Sequence, residues 1–204
     1  MKFFVLFLSF SFLNILIAQD DYLINEQFRN NSNNWPILKT KISKASVNAG
    51  RGVYILRYKS EFNNLAILKN TNLDNNRNFK IEARFYKEKG VKNYGYGLIF
   101  GGREDNYYSY MIAGTGYHLF GKVVDGIWED ISPNGWIYSE QIIQGNKKYN
   151  TIAVSKIGNT YHFEINSVKV ATSTVQPFFG NKIGFNVNNK QTVLVDWITV
   201  EYLN

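Results

Sequence analysis

Apolar and polar residues alternate along most of this chain, in short runs closed by glycine, asparagine or a charged turn. The clearest stretch is Tyr94–Lys122, YGYGLIFGGREDNYYSYMIAGTGYHLFGK, which contains three such runs. A period of two between turn residues predicts half-buried antiparallel strands. The residues predicted to face the core are, strand by strand, Tyr96, Leu98 and Phe100; Tyr108, Tyr110 and Ile112; and Tyr117 and Leu119.

The same pattern predicts strands over nearly the whole chain. They are Val53–Tyr58, Leu65–Lys69, Phe79–Tyr86, Tyr94–Gly101, Asn106–Ala113, Tyr117–Val123, Gly126–Ile131, Tyr149–Lys156, Thr160–Asn166, Val168–Thr172, Lys182–Val187 and Thr192–Tyr202. No window has a sustained helical period, so we expect at most one to three short helical turns, for example around Trp136–Gln141. Many short strands in one domain of this size predict an all-β fold, either an antiparallel two-sheet sandwich or a barrel.

Two hairpins are marked by their turn residues. Gly158-Asn159 separates two strands and suits a tight two-residue turn. The chain is expected to turn again at Asn166-Ser167.

Residues 1–18 have the pattern of a bacterial secretory signal peptide. Lys2 supplies the positive charge, an apolar core runs from Phe3 to Ile17, and Ala18 is a suitable last residue before cleavage. An uncleaved membrane anchor is the alternative. We therefore expect a secreted or periplasmic mature chain, residues 19–204, which forms a single domain without a membrane span.

Composition excludes several kinds of chemistry. The chain has no cysteine, which excludes disulfides, thiol catalysis and sulfur-ligated metals. Its net charge is +7, and the mature chain would be +6 because the leader carries only Lys2. The basic residues are scattered, so a solvated basic surface is favoured, and attraction to acidic polysaccharide or lipopolysaccharide is an alternative. Nucleic acid is not an expected partner.

Core and turn residues spread over 22–202 resemble a known family. They include Asn34-Trp35, Gly52-Val53-Tyr54, Phe79-Lys80-Ile81-Glu82-Ala83, Tyr96-Gly97-Leu98-Ile99-Phe100-Gly101, Asp105-Asn106-Tyr107-Tyr108, Gly126-Ile127-Trp128, Gly184-Phe185 and Val195-Asp196-Trp197-Ile198. The chain resembles the bacterial laminin-G-like jelly rolls of the concanavalin A-like lectin/glucanase superfamily, which include domains of unknown function and the 3-keto-disaccharide hydrolase type.

The resemblance implies a curved sandwich of two antiparallel sheets, a jelly roll, in which Thr192–Tyr202 lies beside the N-terminal strands. Ligands in such folds bind on the concave sheet or in the loops at its rim. Some members hold calcium. Fold alone does not determine function, so the chemistry has to be argued from the residues.

No catalytic residues are predicted. Glycosidases need two carboxylates across a sugar ring, and the Glu-x-Asp-x-x-Glu pattern of the glucanase branch is absent. Glu104-Asp105 and Glu129-Asp130 are adjacent pairs, whose side chains point to opposite faces of an extended strand. His118 and His162 stand alone, without partners at metal-ligand spacing.

No cofactor is predicted, with calcium as the open alternative. Asp105-Asn106 and Asp196 are the best oxygen donors. We expect Asp196 on one face with Leu194, Ile198 and Val200, where backbone amides or an arginine are favoured as its partners over a metal.

A patch of aromatic and polar side chains is the best candidate binding site, because sugars present apolar faces and hydroxyl edges. With Tyr108 and Tyr110 in the core, Tyr107, Ser109 and Met111 would face outward. With Tyr117 and Leu119 in the core, His118, Phe120 and Lys122 would do the same. The predicted ligand-binding residues are Arg103, Asp105, Asn106, Tyr107, His118, Trp128 and Trp136. The alternative is that these aromatics fill the core or cover an edge.

The resulting hypothesis is a secreted, non-catalytic binding module whose partner is a carbohydrate. A protein-interaction or adhesion domain is the second hypothesis. A glycoside hydrolase with carboxylates from separate strands is the third.

Overall fold

The computed structural model describes residues 22–203, so the predicted leader lies outside the described residues. This part of the chain contains sixteen strands and no helix, and thus no helix able to cross a membrane. The strands are β1 (Tyr22–Glu26), β2 (Leu38–Lys39), β3 (Ser43–Asn48), β4 (Val53–Tyr58), β5 (Asn64–Asn70), β6 (Phe79–Gly90), β7 (Gly95–Arg103), β8 (Asn106–Ala113), β9 (Tyr117–Val124), β10 (Ile127–Asp130), β11 (Ile137–Tyr138), β12 (Lys148–Ile157), β13 (Thr160–Ile165), β14 (Val168–Thr174), β15 (Lys182–Asn188) and β16 (Gln191–Tyr202).

The strands form two antiparallel sheets packed as a sandwich. The first sheet has the order β14-β13-β12-β6-β16-β4-β3-β2, with β1 paired to β16. The second sheet has the order β10-β9-β8-β7-β15-β5, with β11 paired to β9. The predicted all-β sandwich is confirmed, and the N-terminal and C-terminal strands pair as the resemblance implied.

Aromatic side chains fill much of the space between the sheets. Trp35 stacks on Phe185 with ring centroids 5.0 Å apart, and Phe28 stacks on Tyr54 at 5.4 Å. All four side chains are almost completely buried. Burial of each large apolar side chain stabilises the fold by about 1.5–3 kcal/mol, which allows a chain without disulfides to hold a single core.

The twelve predicted strands are all present, and Val53–Tyr58 and Asn106–Ala113 have the predicted bounds. Four short strands, β1, β2, β3 and β11, were not predicted. The helical turn expected around Trp136–Gln141 is wrong, because Ile137 and Tyr138 pair with the backbone of β9 instead.

Both predicted hairpin turns are confirmed. Ile157 pairs with Thr160 across Gly158-Asn159, and Ile165 pairs with Val168 across Asn166-Ser167. Asn166 and Ser167 have φ angles of 48° and 68°, the left-handed geometry of a tight hairpin turn.

The predicted faces of β9 are reversed in the structure. Phe120 pairs with Tyr110 and His118 with Ile112, and directly paired residues share one face of a sheet. His118 and Phe120 therefore point into the core, where His118 is only 2% exposed. Tyr117, predicted to be buried, is 41% exposed, and Leu119 packs on the outer face.

The prediction that Asp196 shares one face with Leu194, Ile198 and Val200 is wrong because β16 contains a β-bulge. The register of β16 against β6 shifts between Val195 and Trp197, so Ile198 and Val200 enter the core whereas Leu194 faces away from it. The half-buried Asp196 accepts a hydrogen bond from Arg84 at 3.4 Å. An arginine partner is one of the two arrangements, backbone amides or an arginine, that the sequence favoured over a metal.

Candidate functional site

Three glycines and a serine lie in two adjacent rows on the outer face of the second sheet. One row across this face consists of Gly184, Ile99, Ser109 and Gly121 on β15, β7, β8 and β9. In the next row Gly97 lies between Asn186 and Met111. Because Gly97, Gly121 and Gly184 have no side chains, the sheet surface is recessed at these positions. Larger side chains around them can therefore enclose a depression.

A cleft of about 560 Å³ lies over this part of the sheet. It is lined by Glu61, Asn63, Asn64, Ala66, Leu68, Tyr94, Asp105, Tyr107, Val123, Gly126, Trp128, Asn186 and Asn188. We call it the Trp128 cleft. Its lining combines aromatic side chains with asparagine amides, which is the combination that recognises a ring with polar edges.

A hydrogen-bonded network of side chains orders the floor of the cleft. The Asn64 amide group donates to the Tyr107 hydroxyl and to the Asn186 carbonyl oxygen, both at 2.9 Å. Asn186 donates in turn to the sulfur of Met111 at 3.2 Å and lies 3.5 Å from the Ser109 hydroxyl. Tyr107 is only 4% exposed, and its burial raises the pKa of its hydroxyl. These contacts pre-organise the amides before any ligand arrives.

Trp128 forms one wall because Gly121 lets it approach the sheet. A Cβ atom on Gly121 would lie 2.3 Å from Cζ2 of Trp128, so only glycine permits this packing. The indole Nε1 donates to Asp130, which fixes the ring orientation. On the same strand pair, Lys122 and Glu129 form an ion pair at 3.0 Å.

The charged groups that line the cleft are carboxylates. Glu61 and Asp105 are lining residues, and no lysine or arginine is among them in residues 22–203. Glu61 forms an ion pair with Lys190 at 2.5 Å, and this hydrogen bond lowers the pKa of the Glu61 carboxyl group. A basic protein thus has an acidic rim on this cleft.

Three of the seven predicted site residues come together here: Asp105, Tyr107 and Trp128. Arg103 is exposed outside the lining, and the Asn106 side chain caps a turn by accepting a 2.6 Å hydrogen bond from the Asp125 amide.

Trp136 lies on the same sheet face but beyond the cleft, against Gly95 and Met111. His118 is not on this face at all. The prediction that it points outward is wrong, because the register of β9 turns it into the core.

Ten of the thirteen lining residues were not predicted, among them Asn64, Tyr94, Asn186 and Asn188. A signal for two of them was present, since Ile183, Phe185 and Val187 alternate with outward positions that include Asn186 and Asn188. Tyr94, at the opposite end from Trp128, is 42% exposed and offers a second aromatic surface.

The structure also bears on metal binding. Within residues 22–203 no group of three or more histidine, aspartate or glutamate side chains is placed to hold an ion. Asp105 lines the cleft and Asp196 pairs with Arg84. Calcium binding, for which Asp105-Asn106 and Asp196 were the best donors, stays the open alternative.

No protein-family profile and no curated protein match this chain. Several solved structures, however, have a similar fold. A carbohydrate-binding module, CBM66 of Bacillus subtilis, superposes with a TM-score of 0.63 at 15% identity, covering 82% of this chain and 97% of that one. A Bacillus licheniformis β-glucanase gives 0.59 at 14% identity over 89% and 97% of the two chains. A structure from a study of endo-acting O-glycanases of the human gut microbiota gives 0.57 at 12% identity, covering 90% and 100%.

At these identities the similarity establishes the architecture and leaves the ligand to be argued from the residues. The chain has the jelly-roll fold shared by concanavalin A-like lectins and glucanases, as its core and turn residues implied.

Proposed function

We propose that this protein is a non-catalytic carbohydrate-binding module and that the Trp128 cleft is its binding site. The observation that carries the proposal is that Trp128 and the ordered amides of Asn64 and Asn186 line one cleft on the outer face of the second sheet. The similar folds of a bacterial carbohydrate-binding module and of a module from a Lactobacillus casei phage add support.

The cleft matches both parts of a sugar. The half-exposed indole of Trp128 offers a flat surface for the apolar face of a pyranose ring. Asn64, Asn188 and Asp105 offer donors and acceptors for hydroxyl groups at the ring edge. Tyr107 has a different role: its ring is buried, so it supports Asn64 and does not stack on the ligand.

The charge of the lining favours a neutral glycan. Glu61 and Asp105 are both acceptors. Lys190 pairs with Glu61, whereas Asp105 has no ion-pair partner among residues 22–203 and would repel a carboxylated or sulfated sugar. Neutral hydroxyl groups can donate to these carboxylates, as sugars commonly do in binding sites.

Binding fits this cleft better than hydrolysis. A glycosidase needs one carboxyl group with a raised pKa to protonate the leaving group. Lys190 lowers the pKa of Glu61 instead, and so keeps this carboxyl group ionised near neutral pH. We place the mature chain outside the cytoplasm, on the pattern of residues 1–18.

The test uses the mature chain, residues 19–204, on a glycan array and on insoluble polysaccharides, with and without calcium. We expect retention on a neutral glycan that Trp128→Ala abolishes. Tyr138→Ala is the matched control, because Tyr138 is an aromatic residue 57% exposed and outside the cleft.

A glycan retained equally by wild type and Trp128→Ala would overturn the site. Absence of binding to every glycan would overturn the function and direct the search to a protein partner. Retention that requires calcium would revive Asp105 as a metal ligand.

A further inference from the structure

The first sheet carries a line of cations on its outer face, away from the Trp128 cleft. Lys39 pairs with Lys44, Lys44 with Arg57, Arg57 with Thr192 and Thr192 with Lys89. Because directly paired residues share a face, these five side chains form one row across β2, β3, β4, β16 and β6. We call it the basic row. At about 4.8 Å per strand it is roughly 19 Å long.

A recess of about 320 Å³ opens at the Lys89 end of the row and reaches Arg57. Its lining includes four cations, Arg57, Lys59, Lys89 and Lys190, and no carboxylate from residues 22–203. Thr192 lies between Arg57 and Lys89 and is itself 2% exposed. Four positively charged side chains therefore surround the buried Thr192 in this recess.

Arg57 has an unused hydrogen-bond donor at this place. Its Nε atom is buried and has no hydrogen-bond partner in the described part of the chain. A buried donor without a partner is costly, and a guanidinium group recognises carboxylate, sulfate and phosphate groups through parallel N–H donors.

The other cations are available as well. Among residues 22–203, Lys39, Lys44, Lys59 and Lys89 take part in no ion pair, whereas Lys190 is engaged by Glu61. Opposite charges elsewhere on this sheet are paired, for example Lys80 with Glu82 and Glu164. The row thus holds uncompensated charge that an anionic partner would neutralise.

We propose that the basic row binds a linear acidic polysaccharide, with one anionic group held in the recess by Arg57 and Lys89. A continuous row of side chains across five strands suits an extended polymer with repeated charges. An anionic bilayer is the competing partner, and the vesicle measurement below distinguishes it from a polysaccharide. The proposal does not depend on the Trp128 cleft.

The experiment measures binding of the mature chain to dextran sulfate, with unsulfated dextran as the backbone control, at low and at high salt. We expect binding to dextran sulfate alone, weakened by salt because exposed charges are screened. Arg57→Gln combined with Lys89→Gln should weaken it about tenfold, the effect of losing two partly exposed ion contacts.

The matched control removes the same charge elsewhere. Lys148→Gln with Lys169→Gln neutralises two exposed lysines that lie outside the row and the recess, and we expect wild-type affinity. Circular dichroism verifies the fold of each variant. Should the double variant fail to fold, Lys89→Gln alone replaces it, because Lys89 is exposed. We then expect a smaller loss of affinity for dextran sulfate.

Three results would overturn the proposal. An equal loss of affinity in both double variants would mean that only the net charge of the protein matters. Absence of dextran sulfate binding at low salt would mean that the basic row is not a polysaccharide site. Binding to phosphatidylglycerol vesicles without binding to dextran sulfate would assign the surface to a membrane. Trp128→Ala should bind dextran sulfate as wild type does, which separates this test from that of the cleft.

Discussion

The hydroxyl group of Tyr107, on β8, accepts a 2.9 Å hydrogen bond from the side-chain amide of Asn64, on β5, although β7 and β15 lie between these strands. The tyrosine side chain therefore extends across the face of the second sheet. Its ring packs with Ile99 of β7 and Leu68 of β5, and Gly102 of β7 leaves room beside it, since a Cβ atom there would lie 2.5 Å from Leu68 and 3.2 Å from the Tyr107 Cβ atom. This contact connects the two sides of the cleft floor.

Tyr107→Phe should weaken the hydrogen-bonded network at the floor of the cleft. Asn64 would lose one acceptor in a half-buried place, which we expect to lower the free energy of unfolding by about 1 kcal/mol. Glycan affinity should fall as well, since Asn64 would no longer be held in one orientation. Urea denaturation of the variant, compared with Tyr138→Phe at an exposed position, measures the first effect. Equal stability of the two variants would contradict the structural role of the hydroxyl group.

Gly121→Ala should displace Trp128 without removing it. The added methyl group would meet Cζ2 of Trp128 at 2.3 Å and the backbone oxygen of Glu129 at 2.6 Å. We expect a loss of stability of about 1–3 kcal/mol, as for other overpacked sites, together with loss of glycan binding.

Gly50→Ala is the control, because the nearest atom to a methyl group there is 3.7 Å away. A Gly121→Ala protein with wild-type stability and binding would show that Trp128 does not depend on this contact.

Two buried tyrosines should respond differently to loss of their hydroxyl groups. The Tyr54 hydroxyl donates to the backbone oxygen of Pro36, whereas the Tyr110 hydroxyl has no partner among the described residues. Tyr54→Phe should cost about 1 kcal/mol, and Tyr110→Phe should be neutral or stabilising because it removes an unsatisfied polar group. Thermal or urea denaturation of both variants checks this. A similar cost in both would indicate that a bound water satisfies Tyr110.

Lys87 should make stability rise with pH in the alkaline range. It is completely buried between the sheets, donates to Gln191, and burial lowers its pKa to about 8 from 10.5. Between these values the unfolded chain binds a proton that the folded chain has released, so stability increases with pH. Above pH 10 the raised pKa of buried tyrosines such as Tyr54 acts in the opposite direction.

The measurement compares the free energy of unfolding of wild type and Lys87→Met from pH 8 to pH 10. Subtraction removes the contribution of groups that titrate equally in both proteins. We expect the difference to change by about 1–2 kcal/mol over this range, and the exposed Lys89→Met control to show no such change. A pH-independent difference would mean that Lys87 is not desolvated.

The alternation of apolar residues was enough to predict most strands, because β4 and β8 bury large side chains at every second position or more. It could not decide between the two faces of β9, each of which carries aromatic or aliphatic residues. The register of the hairpin with β8 decides this, and it places His118 opposite Ile112. Strands β1 to β3 escaped prediction since asparagine, serine and lysine interrupt their apolar residues.

Aromatic residues of the cleft were easier to predict than its amides. Tyr107 and Trp128 stood out by residue type, within a stretch of clear strands and turns. Asn64 and Asn186 contact each other across 122 residues, and only the insertion of β15 between β5 and β7 brings them together. This contact between Asn64 and Asn186 depends on how distant strands pair, and the local alternation of apolar and polar residues cannot predict that pairing.

The most direct test of the account follows the indole N–H resonances of the mature chain during titration with a glycan that it retains. The four tryptophans occupy different environments: Trp35 in the core, Trp128 in the cleft, Trp136 beyond it, and Trp197 on β16 of the first sheet. We expect the Trp128 signal to shift most, while those of Trp35 and Trp197 stay in place. A titration that moves Trp197 and leaves Trp128 unchanged would place the glycan on the opposite sheet and contradict the central claim.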